Sequence, residues 1–306
     1  EKERMREFLY ARWVQRLIVI LHLVALTALI GDYGFVLQPT LQLGIISLYL
    51  FVLIVGIFYT VLKYYYHRKE FILSVFVFDT LSVLFVLYCL YKQLSTDGLS
   101  DISPWIRWAV ILKLVREFTR PRVSYKRSLL NPAQLFIISF IGLIVIGALL
   151  LMLPKATYEG ISFVDALFTS TSAVCVTGLI VVDTSSYFTS FGQTLIMLLI
   201  QAGGLGILTF ASYFSYFFKG GSTYENQLAL SDMTNSEKIG EVFTTVKRIL
   251  TITFLIEFIG AILIFLNLDK TLIPLFSERV YFSVFHSISA FCNAGFSTLP
   301  NGMMEA

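Results

Sequence analysis

Runs of about 20 apolar residues, separated by short charged stretches, are what most restrict the fold of this chain, because that length suits a helix crossing a bilayer. Apolar residues make up 57 % of the 306 positions and charged ones 14 %, against roughly a quarter charged in soluble domains. Mean hydropathy is +0.78. Within lipid every backbone polar group must be satisfied inside the protein. The expectation is therefore an all-α polytopic membrane protein. Crossings are expected near residues 13–30, 41–66, 71–92, 104–119, 132–153, 187–218 and 248–268. Residues 1–16 are charged throughout and have no secretory leader pattern.

The basic residues set the orientation. Lys2, Arg4, Arg6, Arg12 and Arg16 lie on one set of flanks, followed by Lys63, Arg68 and Lys69. Arg116, Arg120, Arg122, Lys126 and Arg127 come next, then Lys219, Lys238, Lys247 and Arg248. The opposite loops (31–40, 93–103, 154–186 and 267–279) contain only Lys155, Lys270 and Arg279. Cytoplasmic flanks are the ones rich in Lys and Arg, which places the N-terminus in the cytoplasm. Two further apolar stretches, 161–179 and 280–297, are too short to cross and both fall on the outer side. Short apolar segments between crossings read as re-entrant, and irregular backbone at that depth must face protein or a water-filled cavity.

The two stretches repeat each other. With Gly178 set over Gly295, 117 positions apart, Phe168 meets Phe285, Ser170 meets Ser287 and Ser172 meets Ser289. Ala173 then meets Ala290, and Cys175 meets Cys292. Six identities with one gap mark an internal duplication of a helix–pore loop–helix unit, a known way to build a path around an axis. Ser162 and Asp165 form a capping pattern that starts a short helix near Phe163 and ends it near Ala173. Its C-terminal end carries partial negative charge and favours a cation. Beyond it, Gly178 and Gly295 supply positions free to take φ > 0, so that successive carbonyls can line a path in place of water. No carboxylate lies close to either glycine. The alternative to an ion path is a packed re-entrant turn.

These residues resemble the Trk/Ktr/HKT superfamily of potassium transporters. The run from Val164 to Leu179 looks like its first pore helix and filter, Gln201 to Phe210 like the following inner helix, and Ser287 to Phe296 like the second filter. The resemblance extends from about Leu130 to the end and is nearest to the bacterial Ktr and Trk membrane subunits. It implies four non-identical units around one cation path. It also implies K⁺ as the carried ion, with no covalent cofactor, and ion-facing backbone at Cys175, Val176, Thr177 and Gly178 and at Cys292, Asn293, Ala294 and Gly295. A glycine at the first filter goes with potassium in that family and a serine with sodium, so Gly178 points to K⁺ and leaves Na⁺ as the second choice. The implied setting is the bacterial plasma membrane, with the lipid bilayer, a homodimer and a cytosolic ring of nucleotide-binding regulatory subunits as partners. Residues 219–247 are the expected docking surface. On this pattern the second unit is incomplete, and two more units would lie beyond it.

The expected organisation is an N-terminal four-helix block (1–128), a first pore unit (129–218), a cytoplasmic linker (219–247) and the start of a second unit (248–306). The fourth helix has Arg107, Lys113, Arg116 and Arg120, which invites comparison with a voltage sensor. However, Val110 breaks the spacing, the third helix offers one acid, Asp79, and the second helix offers none. A static peripheral bundle is the plainer expectation. Glu257 lies in mid-crossing and is a candidate functional acid by default; the alternative is a hydrogen-bonded acid packed between helices. His286 is expected behind the second filter, and Gly203, Gly204 and Gly206 serve close packing or a bend. The three cysteines have neither zinc nor disulfide spacing. There is no catalytic constellation and no nucleic-acid-binding pattern. The rival readings are a voltage-gated cation channel, disfavoured by the second, differing loop, and a non-transporting scaffold, disfavoured by the duplication.

Overall fold

The computed structural model describes residues 12–66, 73–93, 95, 102–118, 132–219, 237–268 and 273–300. The chain forms two compact units, Glu1–Arg127 and Ser128–Ala306, and most of the described residues are helical.

The first unit holds α1 (Arg12–Gly34), α2 (Pro39–Tyr66), α3 (Leu73–Lys92) and α4 (Pro104–Phe118). Its interior is built from Ala25, Ile46, Tyr49, Val52, Leu53, Val86, Cys89, Ile106, Ala109 and Val110. The outward faces carry Ile20, Phe51, Phe58, Leu81 and Leu84, side chains suited to lipid. Lipid provides little hydrophobic force between helices, so packing and polar pairs must hold such a bundle. Here Arg107 pairs with Asp32 and Arg116 with Asp79. Pro104 occupies the first turn of α4, where its missing N–H costs nothing. Ser103 caps that turn: its hydroxyl accepts from Ile106 N at 3.4 Å, and its own N–H donates to Gln93 Oε1 at 3.0 Å.

The second unit holds α5 (Pro132–Leu151), the short α6 (Phe163–Val174), the one-turn α7 (Thr184–Tyr187), α8 (Ser190–Lys219), α9 (Glu237–Asn267) and α10 (Phe276–Phe291). α6 packs on α5 and α8, and α10 packs on α9 and α8. Their shared core includes Ala148, Leu151, Ala173, Val174, Ile196, Ile200, Phe285, Ala294 and Phe296.

Among the described residues, four helices are long and apolar enough to cross a membrane by length and composition: Leu17–Gly34, Pro39–Leu62, Ser190–Phe210 and Val246–Asn267. The other three expected crossings are occupied by α3 and α5, of 20 residues each, and by the 15-residue α4, which carries Arg107, Lys113 and Arg116. Two helix starts differ from expectation. The crossing expected from residue 187 begins at Ser190, because Asp183 caps a separate turn, α7. Asp183 Oδ2 accepts from Ser185 Oγ (2.6 Å), Ser186 Oγ (2.7 Å) and Ser186 N (3.0 Å). Burial alone would raise the pKa of this carboxyl, but the serine hydrogen bonds outweigh it and hold the pKa below the ordinary value. α9 starts at Glu237 rather than near Arg248, since polar residues end an apolar run without ending a helix. Much of the expected docking surface, residues 220–236, lies outside the described residues.

Candidate functional site

α6 starts as its sequence suggests. Ser162 Oγ accepts from Asp165 N at 3.1 Å and donates to Asp165 Oδ2 at 2.7 Å. α10 has Leu275 at its N-cap, without a side-chain cap, and Glu278 in its first turn.

The two helices end alike. In the first, Val176 N donates to Ala173 O (3.2 Å) and Thr177 N to Ser172 O (2.9 Å). In the second, Asn293 N donates to Ala290 O (3.0 Å) and Ala294 N to Ser289 O (2.7 Å). Each pair forms a Schellman closure, with the residue after the C-cap in the left-handed region. Val176 has φ 57° and Asn293 φ 60°, followed two residues later by Gly178 at 81° and Gly295 at 72°. Thr177 and Ala294 have negative φ, so handedness alternates residue by residue through both loops. The N–H groups of Val176, Thr177, Asn293 and Ala294 are taken up by carbonyls of the preceding helix. Among the described residues none donates to the carbonyls of Cys175–Gly178 or Cys292–Gly295. The sequence pattern points to left-handed φ at the glycines but not at Val176 and Asn293. Asn293 was open to detection, because Asn tolerates this region. Val176 was not, because a β-branched residue there is a genuine outlier.

The two loops meet at their glycines. A Cβ built on Gly178 would lie 2.6 Å from Ala294 O and 3.3 Å from Gly295 Cα. One built on Gly295 would lie 3.4 Å from Gly178 Cα. Both glycines are thus suited to their positive φ, and Gly178 is needed for the close approach as well.

Each short helix is also pinned to the long helix before it. Ser170 Oγ donates to Ile144 O on α5 (2.8 Å), and its counterpart Ser287 Oγ donates to Glu257 O on α9 (2.6 Å). Gly147 and Gly260 make room for these hydroxyls: a Cβ on Gly147 would collide with Ser170 Oγ, and one on Gly260 would come within 2.5 Å of Ser287 Oγ. On α8, Gly203 faces the backbone of Val174, and its neighbour Gly204 faces Cys292 Sγ. Adjacent glycines of one helix therefore seat both loops, and the close-packing reading of Gly203 and Gly204 describes this geometry.

The support behind the loops is unequal. His286 Nδ1 donates to Phe282 O (2.9 Å), which leaves Nε2 to accept from Ser297 Oγ (3.0 Å) and Thr298 N (3.4 Å). Ser289 Oγ donates to Phe296 O at 2.7 Å. The counterparts in the first loop, Thr169 and Ser172, have buried hydroxyls with no hydrogen-bond partner among the described residues. Glu257, 6 % exposed, accepts from Gln201 Nε2 at 2.9 Å. This acid is therefore hydrogen-bonded between α9 and α8, behind the second loop.

A β-branched residue held at φ 57° stores strain of about 1–3 kcal/mol. Val176→Gly releases it at a position where Schellman closures prefer glycine, so thermal stability of the full-length protein is expected to be unchanged or slightly raised. The same change removes the side chain that restricts the loop. Discrimination among cations in a flux assay is expected to fall several-fold, and a stable variant with unchanged discrimination would count against a restraining role.

The sequence matches the TrkH family of cation transport proteins over residues 105–305, a match that begins in α4, earlier than the resemblance read from about Leu130. Ktr system potassium uptake protein B of Bacillus subtilis is 43 % identical over 177 residues, which are 57 % of this chain and 39 % of that protein. Potassium/sodium uptake protein NtpJ of Enterococcus hirae is 39 % identical over 182 residues, 58 % of this chain and 40 % of that protein. Ktr system potassium uptake protein B of Vibrio alginolyticus is 37 % identical over 174 residues, 56 % and 37 % of the two chains. The chain spans about two-fifths of the length of these relatives. Two successive loops of the same geometry, the family match and these likenesses lead to one conclusion: this all-α polytopic membrane protein belongs to the TrkH family of cation transport proteins.

Proposed function

We propose that this chain forms part of the cation path of a bacterial potassium-uptake permease, with K⁺ as its cargo. The carrying observation is the repeated left-handed alternation at Val176/Gly178 and Asn293/Gly295, with the two glycines in contact. Carbonyls of Cys175–Gly178 and Cys292–Gly295 replace the hydration shell of the ion, and the C-terminal ends of α6 and α10 add negative potential there. The printed names of the relatives, two potassium uptake proteins and a potassium/sodium uptake protein, support this choice of cargo. Glu257 acts as a positioning acid that ties α9 to α8 through Gln201 and does not face the ion.

The remaining assignments belong to the same proposal. They are a plasma-membrane protein with a cytoplasmic N-terminus, a homodimer, and gating by a cytosolic nucleotide-binding ring that docks on residues 219–247. The chain divides functionally at 1–128, 129–218, 219–247 and 248–306.

The test is cation flux into liposomes that hold the full-length protein, under equal gradients of K⁺, Rb⁺ and Na⁺. Uptake of K⁺ and Rb⁺ well above Na⁺ is expected. Na⁺ flux equal to or above K⁺ flux would overturn the choice of cargo. No flux of any of the three, with and without cytosolic partners, would overturn the conducting role.

A further inference from the structure

We infer that the first unit is a voltage-responsive element, in which α4 carries a ladder of basic residues that shifts by one rung against fixed acids on α1 and α3. Arg107, Val110, Lys113 and Arg116 follow one another at three-residue intervals, and three of the four rungs are charged.

Each charged rung has a buried polar partner on a different helix. Arg107 Nε and Nη2 donate to Asp32 Oδ2 and Oδ1 at 2.7 and 3.0 Å. Lys113 Nζ lies 3.0 Å from Thr60 Oγ1 on α2. Arg116 Nε and Nη2 donate to Asp79 Oδ1 and Oδ2 at 2.5 and 2.9 Å. Tyr64 OH donates to Asp79 at 2.6 Å, and Tyr49 OH donates to Asp32 at 3.5 Å. Asp32 and Asp79 are 3 % and 1 % exposed, and Lys113 is 3 % exposed.

Anchoring of the positive-inside kind does not account for this arrangement. Anchoring residues reach toward the headgroups, whereas Lys113 is held inside the bundle. Arg107 pairs with an acid at the end of α1 opposite to the basic N-terminal flank. The bundle has also been shaped around the middle rung. A Cβ on Gly56 would collide with the stem of Lys113, so α2 is cut back where that side chain lies.

The ladder therefore has a second register. If α4 slides by three residues, a rise of roughly 4.5 Å, Lys113 takes the place of Arg116 at Asp79 and the uncharged Val110 arrives opposite Thr60. In the same step Arg107 leaves Asp32 and reaches the place of Val110. One elementary charge then passes Asp79 per step. A two-register equilibrium carrying one charge across the full field changes roughly 50-fold per 100 mV.

The test records displacement current from the full-length protein under voltage clamp, with K⁺ and Na⁺ replaced by an impermeant organic cation. Conduction then contributes nothing, and the result is independent of the cargo proposal. The expected result is a transient, saturating charge movement of about one elementary charge per chain. Lys113→Gln should reduce it at least twofold, and Lys113→Arg should retain it. The wild-type recording needs no variant, so its outcome stands even where Lys113→Gln fails to fold. Absence of a transient from folded, membrane-inserted protein would overturn the inference, as would an undiminished charge in folded Lys113→Gln.

Discussion

Gly178→Ser is expected to lower the preference for K⁺ over Na⁺ at least tenfold, whereas Gly295→Ser should lower it only about two- to threefold. Both glycines sit at positive φ, 81° and 72°, so any L side chain there costs roughly 1–2 kcal/mol, and that strain is common to the two. Their surroundings are not alike. A Cβ on Gly178 lands 2.6 Å from Ala294 O and 3.3 Å from Gly295 Cα. Both are backbone atoms, and Ala294 O is one of the carbonyls proposed to face the ion. The new side chain must displace the opposite loop. A Cβ on Gly295 meets only Gly178 Cα, at 3.4 Å, which is ordinary contact. A tenfold change corresponds to about 1.4 kcal/mol, well within what moving one coordinating carbonyl costs. Competitive K⁺/Na⁺ flux into liposomes reads both variants. Equal losses would mean that φ strain alone matters, and the inter-loop contact would then have no role in selectivity.

The features that the sequence revealed are those carried by periodic or repeated residues. The helical class follows from long apolar runs, and the start of α6 follows from the Ser162/Asp165 pair. The duplication emerges from identities at six positions, and the loops it marks end in the same hydrogen bonds. What stayed hidden depends on tertiary approach. Asp32 reads as a loop residue, and its pairing with Arg107, 75 positions away, appears only once α1 and α4 pack. That pair, with Gly56 cut back around Lys113, turns a charge pattern that looks too sparse into a ladder with partners. Helical glycines such as Gly147 and Gly260 carry no sign in sequence that they face a serine hydroxyl. The left-handed φ of Val176 runs against its local preference. Such conflicts between local rule and fold concentrate where a site dictates the backbone.

Gly203, Gly204 and Gly206 of α8 provide the sharpest test of how that site is held. In an unobstructed helix, replacing Gly with Ala stabilises by about 1 kcal/mol, so propensity alone predicts a gain at each position. The surroundings predict a graded reversal. A Cβ on Gly203 would lie 2.7 Å from Val174 C and 2.9 Å from Val174 Cα, and would overlap Val174 O. All three are backbone atoms at the end of α6, so relief requires α6 and its loop to move away from α8. Overpacking of this kind costs 1–3 kcal/mol and occasionally more, and with rigid backbone on both sides a net loss of about 3 kcal/mol is expected. At Gly204 the new atom meets Cys292 Sγ at 2.6 Å, a side-chain atom that can rotate, and a net loss of about 1 kcal/mol is expected. At Gly206 it meets the ring edge of Phe140 at 2.9 and 3.0 Å. That ring can tilt, so Gly206→Ala should be close to neutral. Thermal unfolding midpoints of the full-length variants in detergent should therefore fall in the order Gly206→Ala, Gly204→Ala, Gly203→Ala, with the last lowest. Because Gly203 acts through the residue just before Cys175, its variant should also lose cation discrimination even when the protein is kept cold enough to stay folded. A Gly203→Ala protein as stable and as selective as Gly206→Ala would show that the first loop is not seated on α8, and the shared seating of the two loops would have to be abandoned.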